Sequence, residues 1–342
     1  MTRSAELADS GAQENVTRQS GSEDQSWRDV LNREFLFIIG SDRSGTTWLQ
    51  SMIAAHPQVA TTVQLTLFHT YVPDWIRSWN MEVGYIEDAD QWDMGLPVVW
   101  SEQEFHEFLR EFVAKAYSKV AEKSPNASHI LDKHPAYREH VEDINLLLPN
   151  AKFIHVIRDG RDVALSLIAA KKGLGWGFSS VREAAEAWAR FVRRGQEATK
   201  YGERYVEVRY EDLKTDGVAT LQSVFEFCGL AASEEEVGRI LEDHQFERMK
   251  RNRQTPDATR NAPAAHYRKG ASGQWKEGYS AVQRGEFHQI AGGLLCELGY
   301  AEPGWWYQSR IEWMFVKAVL LAKSGLSVVR KLISWVGRTV LG

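Results

Sequence analysis

Residues 34–48 read Glu-Phe-Leu-Phe-Ile-Ile-Gly-Ser-Asp-Arg-Ser-Gly-Thr-Thr-Trp, and this stretch narrows the fold more than any other. An apolar run closed by glycine suits a parallel strand buried on both faces. Leu49, Met52 and Ile53 then fall on one face of a helix. A strand, a loop of small residues and a helix start make an anion site, because consecutive backbone N–H groups and the helix N-terminus aim at one point. An ordinary strand-to-helix turn has the same outline, so the residue types decide. A nucleoside triphosphatase loop has the form G-x-x-x-x-G-K-[ST], and Thr46 stands where its lysine belongs. Arg43 supplies a cation from inside the loop, and a guanidinium suits a terminal sulfate or phosphate. Gly45 allows close backbone approach, and the Thr46 and Thr47 hydroxyls can donate to anion oxygens. The loop is suited to such an anion without magnesium, and no metal-ligand cluster accompanies it.

A second buried strand is expected over 151–157, ending in Arg158-Asp159-Gly160-Arg161-Asp162 and a helix from about Val163 to Ala170. Arg158 at the strand's carboxyl end and Ser166 eight residues on can place two donors about one anion; a structural ion pair for the arginine remains an alternative. With 43% hydrophobic and 25% charged residues among 342 and no repeat or linker, one large domain is expected over 31–304. The net charge of −5 disfavours a nucleic-acid binder. Cys228 and Cys296 lie far apart, outside any metal-ligand spacing, which favours a reducing compartment over a disulfide framework. Residues 1–30 are expected to be disordered, and they lack the apolar stretch of a secretory signal. Residues 305–342 read as a basic amphipathic helix. From 310 onward Arg310, Lys317, Lys323, Arg330, Lys331 and Arg338 oppose Glu312 alone, giving +5 there and −10 over the remainder. That pattern serves a peripheral contact with an anionic membrane, a helix packed on its own domain, or a homodimer contact.

Together the two anion elements resemble the 3′-phosphoadenosine 5′-phosphosulfate (PAPS)-dependent sulfotransferase family, nearest in pattern to its bacterial, carbohydrate and tyrosylprotein branch. Arg43-Ser44-Gly45-Thr46-Thr47-Trp48 is similar to the family's 5′-phosphosulfate loop, and Arg158 with Ser166 to its 3′-phosphate element. Arg268-Lys269-Gly270-Ala271-Ser272-Gly273-Gln274-Trp275-Lys276 resembles its R-K-G-x-x-G-D-W-K segment, with Gln274 in place of the aspartate. The resemblance runs from about Phe35 to Tyr300. It implies a three-layer α/β P-loop fold with a central, mostly parallel sheet flanked by helices. It also implies PAPS as co-substrate, with Arg268, Lys269 and Gly270 closing over the 3′-phosphate and Trp48, Tyr210 and Phe246 meeting the adenine.

The resemblance further implies in-line sulfuryl transfer, and the reducing compartment that the cysteines favour makes the expected location cytoplasmic. Ile130-Leu131-Asp132-Lys133-His134-Pro135 is similar to the family's K-x-P segment, and Lys133 would stabilise the leaving phosphate with Arg43. At the position of the branch's basic glutamate stands Gln64, and an amide accepts no proton at neutral pH. His134 is the replacement base expected here, because an unperturbed imidazole pKa of about 6.5 lies near working pH; a structural role is the alternative, and His69 is a further candidate. Four tryptophans between 65 and 110, amid acidic residues, favour a small-molecule, glycan, glycolipid, phenol or other lipid-like acceptor over a polyanion. A catalytically weak PAPS-binding protein and a P-loop nucleotide kinase are the competing readings.

Overall fold

The computed structural model describes residues 26–87, 94–245 and 270–323. β1 (Glu34–Gly40) leads into α1 (Thr46–Ile53), the short β2 (Val59–Thr61), α2 (Val72–Glu87) and α3 (Glu102–Ala121). β3 (His129–Lys133), α4 (Val141–Leu147), β4 (Lys152–Ile157), α5 (Gly160–Leu174), α6 (Val181–Gln196) and β5 (Tyr205–Arg209) follow. After them come α7 (Tyr210–Thr215), α8 (Gly217–Cys228), α9 (Glu234–Asp243), α10 (Trp275–Gly278) and α11 (Ala281–Glu297). Residues 310–323 form α12. Serines begin α3, α6, α9 and α11, each reciprocally bonded to a Glu or Gln three residues on. These capping boxes satisfy N–H groups that a helix cannot bond internally.

The five described strands pair in parallel in the order β2-β3-β1-β4-β5. Central β1 shows why its sequence is apolar throughout. Phe35, Phe37 and Ile39 enter a core with α3 and α4, whereas Leu36 and Ile38 enter another with α1 and α8. This is the expected three-layer α/β fold. A third apolar cluster joins Ile157 to α5, α6 and α11 around the fully buried Trp188.

Pairing in register aligns the strand ends. Lys133 lies beside Ile38, Val156 beside Gly40, and Arg209 beside Ile157. The loops after β1, β3, β4 and β5 therefore leave from one carboxyl edge, on either side of the strand where the winding direction reverses.

Both ends differ from the sequence reading. Ser26–Asn32 is a 3₁₀ helix rather than part of a disordered arm, because Trp27, Val30 and Leu31 find apolar cover on the core. Residues 1–25 lie outside the described residues. The C-terminal helix begins at 310 rather than 305, after a turn that buries Trp306, and the expected continuation over 324–342 lies outside the described residues.

Gly160 opens α5 against the Trp188 ring, where an added Cβ would come within 2.3 Å of the indole. Both partners are buried and neither is at the flexible end of a chain. Gly160→Ala is therefore expected to cost about 1–3 kcal/mol by overpacking, seen as a lower urea midpoint with an unchanged slope.

Candidate active site

The loop after β1 turns on two left-handed residues, Arg43 at φ 70° and Gly45 at φ 99°. Ser44, fully buried, donates its hydroxyl to the Ser41 carbonyl at 2.7 Å and holds the turn closed. Gly45 must lack a side chain, since a Cβ would lie 2.5 Å from the Tyr210 ring. Thr46 and Thr47 open α1, where the first N–H groups have no intrahelical acceptor. Trp48 donates its indole N–H to the His244 carbonyl at 2.8 Å and meets Tyr210 edge to face at 5.5 Å. The structure thus brings the two expected adenine-side aromatics together. Phe246, Arg268 and Lys269 lie outside the described residues.

Arg158 ties this loop to two distant segments. One guanidinium nitrogen donates to the Arg43 carbonyl at 3.1 Å and another to the Ala271 carbonyl at 2.9 Å, while the group lies 4.3 Å from the Tyr210 ring centre. The alternative of a structural ion pair does not describe these bonds, because both acceptors are neutral carbonyls. Its Nε is buried without a hydrogen-bond partner among the described residues. Ser166 faces the loop as well, accepting from Arg43 Nε at 3.0 Å. The Gly270 carbonyl receives the Tyr210 hydroxyl at 2.8 Å and the Lys214 ammonium. Asp162 then fixes the segment by accepting from the Gly273 and Trp275 N–H groups, at 2.6 and 3.0 Å.

Lys133 ends β3 and is 5% exposed. Burial pulls its pKa down to about 8, with Asp132 and Asp42 opposing the shift. Asp132 is held by the Tyr117 and Tyr137 hydroxyls, each at 2.9 Å, and by the Lys133 N–H at 2.8 Å. Arg138, which the sequence reading missed, donates to the Gly40 carbonyl at 3.0 Å, approaches Asp42 at 3.6 Å and stacks on Phe191 at 3.5 Å. It supports the phosphate-type loop from beneath. Its partners are remote in sequence, so no local signal marked it.

His134 does not have the chemistry expected of a base. Its Nδ1 accepts the Ala136 N–H at 3.1 Å, capping the 3₁₀ helix Pro135–Glu139. A backbone N–H can only donate, so the neutral ring keeps its proton on Nε2 and offers no second lone pair. Burial, then its neighbours His69, Lys133, Arg138 and His140, lowers its pKa to about 4. The exposed His69 ring stacks on it at 4.7 Å, within the wide turn Leu67–Tyr71 that follows Thr66 at φ 55°. Gln64 is exposed on the loop between β2 and that turn.

Among the described residues, three aromatics of the 65–110 region are core. Phe68, Trp79 and Phe105 are buried, and Trp79 stacks on Phe105 at 4.4 Å. A second set, Tyr71, Phe112, Trp75 and Phe108, forms a continuous train of rings with Tyr71 and Phe108 exposed. Trp176, 38% exposed, lies 5.9 Å from the Arg43 guanidinium.

A sulfotransferase family model matches residues 36–234, which span β1, β3, β4, Arg158 and Tyr210. The chain belongs to the sulfotransferase family. It is 29% identical over 230 residues to an uncharacterized Aquifex aeolicus protein, covering 62% of this chain and 27% of that one. It is 25% identical to a putative protein-tyrosine sulfotransferase of Caenorhabditis briggsae, covering 62% and 70%, and 24% identical to protein-tyrosine sulfotransferase A of Caenorhabditis elegans, covering 57% and 50%. The match thus spans from 27% to 70% of these relatives' own lengths. The crystal structure of mouse sulfotransferase SULT7A1 complexed with PAP shares the fold, with a TM-score of 0.51 at 16% identity over 82% of this chain and 96% of that one.

The His134 environment sets a pH dependence. Its folded pKa of about 4 lies below the ordinary 6.5, and His155, fully buried, is lowered to about 3. The unfolded chain then binds more protons at these two sites across this window, so their contribution to stability is full above about pH 6.5 and falls as pH drops toward 4. His134→Asn, which keeps a capping oxygen and removes one titration, is expected to make this decline shallower in urea titrations at stepped pH.

Proposed function

We propose that this sulfotransferase moves the sulfuryl group of PAPS to a hydroxyl acceptor. One observation carries the reading: Arg158, 8% exposed, bonds two neutral carbonyls and, among the described residues, keeps Nε unpartnered beside the loop after β1. A buried cation left in that state has a strong demand for an anion. Thr46 in place of the triphosphatase lysine disfavours a nucleotide kinase.

PAPS, when bound, supplies a sulfuryl group joined to a phosphate leaving group. The loop N–H groups, Thr46 and Thr47 would hold its 5′ side, Arg158 and the Ser166 region its 3′-phosphate, and Trp48 with Tyr210 its adenine. Lys133 would donate to the phosphate that develops charge, and Arg43 to the sulfuryl oxygens. Transfer of this kind depends chiefly on positioning and on neutralising charge. The folded environment supports that division, because Asp132 and Arg138 fix the Lys133 strand end and the loop without occupying either cation's task.

The base is assigned to His69 rather than His134. The stack on His134 orients the His69 ring, while His134 itself is committed to its cap. Tyr71, two residues after His69, and the exposed Phe108 offer ring faces for an apolar ring-bearing alcohol or phenol. The names of the protein-tyrosine relatives favour the phenol class. A protein that binds PAPS without turning it over is the second reading, and a screen of labelled PAPS against phenols, glycolipids and sterol-type alcohols separates the two.

Arg158→Ala is expected to weaken binding of the desulfated nucleotide by about 1.5–3 kcal/mol, measured by calorimetry. Unchanged affinity removes the donor-site assignment. For the base, His69→Ala is expected to lower kcat by roughly 10² to 10⁴ with nucleotide affinity intact, whereas His134→Asn keeps most of the turnover. The reverse ranking in steady-state assays returns the role to His134.

A further inference from the structure

The outer face of α12 has no part in the donor site. On its inner face Val316 and Leu320 are buried against α11 and Trp306. Arg284, itself buried, clamps Glu312 at 2.5 Å, and Lys323 reaches Glu286 at 2.7 Å. An added Cβ at Gly285 would lie 2.4 Å from Val316, so α11 is pared back to let α12 seat closely. The helix is therefore fixed to the domain by one side.

Its other side is apolar and open to solvent. Ile311, Met314 and Phe315 are 75%, 53% and 58% exposed. With Ala318 and Ala322, also exposed, they occupy an arc of about 100° at 100° per residue. Arg310 and Lys317 run along one rim of the arc, with Trp313, 39% exposed, beyond them.

We propose that this face docks on an anionic lipid surface, with the Ile311-Met314-Phe315 strip in the acyl boundary and the cations among the headgroups. An apolar arc with Arg and Lys along its rim is the pattern of an interfacial helix. Among the described residues no helix is long and apolar enough to cross a membrane, so the contact is one of lying on the surface. A second copy of the chain is the competing occupant. An antiparallel two-fold contact through this arc would bring the cationic rims of the two copies to one side, which like charges oppose. The net negative charge of residues 1–309 concentrates attraction to acidic headgroups on this end of the molecule.

Flotation of the full chain with phosphatidylcholine vesicles, with and without phosphatidylglycerol, tests this. Wild type is expected to float with the anionic vesicles, to stay down with phosphatidylcholine alone, and to lose flotation at high salt. Met314→Asp with Phe315→Asp, both at exposed positions, is expected to abolish flotation while binding the desulfated nucleotide as wild type does; that binding reports an intact fold. A variant that floats as well as wild type overturns the proposal. So does a wild type that fails to float, or one that sediments as a dimer which the same variant converts to monomer.

Discussion

Arg158 is the interaction on which the rest of the site depends. Its planar fork joins the loop after β1 to the segment before α10, and its face lies on Tyr210. A lysine could supply the charge but could not bond two carbonyls from one plane while stacking on a ring. Because those carbonyls are neutral, burial of the guanidinium leaves a cation in search of a counter-charge. The same arrangement that assembles the loops is what the proposed anion site uses.

Around this hub, supporting groups carry the cost of placing cations in a dry interior. Asp132 keeps Lys133 in register with β1, and two tyrosine hydroxyls hold Asp132 in turn. Arg138 binds Gly40, where β1 turns into its loop, and Asp162 binds the backbone of Gly273 and Trp275. These bonds rigidify the loops that face the donor, and preorganised charge is what a transfer reaction of this type needs.

The aromatic acceptor side follows a different logic. Trp79 and Phe105 stack in the core, and the α2–α3 pair they join carries Phe108, and the turn just before α2 carries Tyr71, to the surface. One packed layer of rings thus presents another, so the stiffness of the core extends to the faces available to an acceptor. His69 sits where that layer meets the Lys133 strand end, stacked on a histidine whose own lone pair is taken.

The sequence by itself determined the sheet's central strands, the loop with Thr46 in place of lysine, Arg158 at its strand end and Lys133 at its own. Each is written in local order: an apolar run buried on both faces, then a glycine or a cation at the carboxyl edge. Tertiary structure decided what depends on residues far apart in the chain. Arg138 and Asp162 were not legible because their partners lie about a hundred positions away. Spacing alone made His134 look like a base, and only the Ala136 N–H, placed by the turn of Pro135–Glu139, committed its lone pair. The amphipathic period of the last helix was plain in the sequence, whereas the choice of which side seats on α11 was made by Gly285 and the buried Arg284, because only packing can tell two apolar stripes apart.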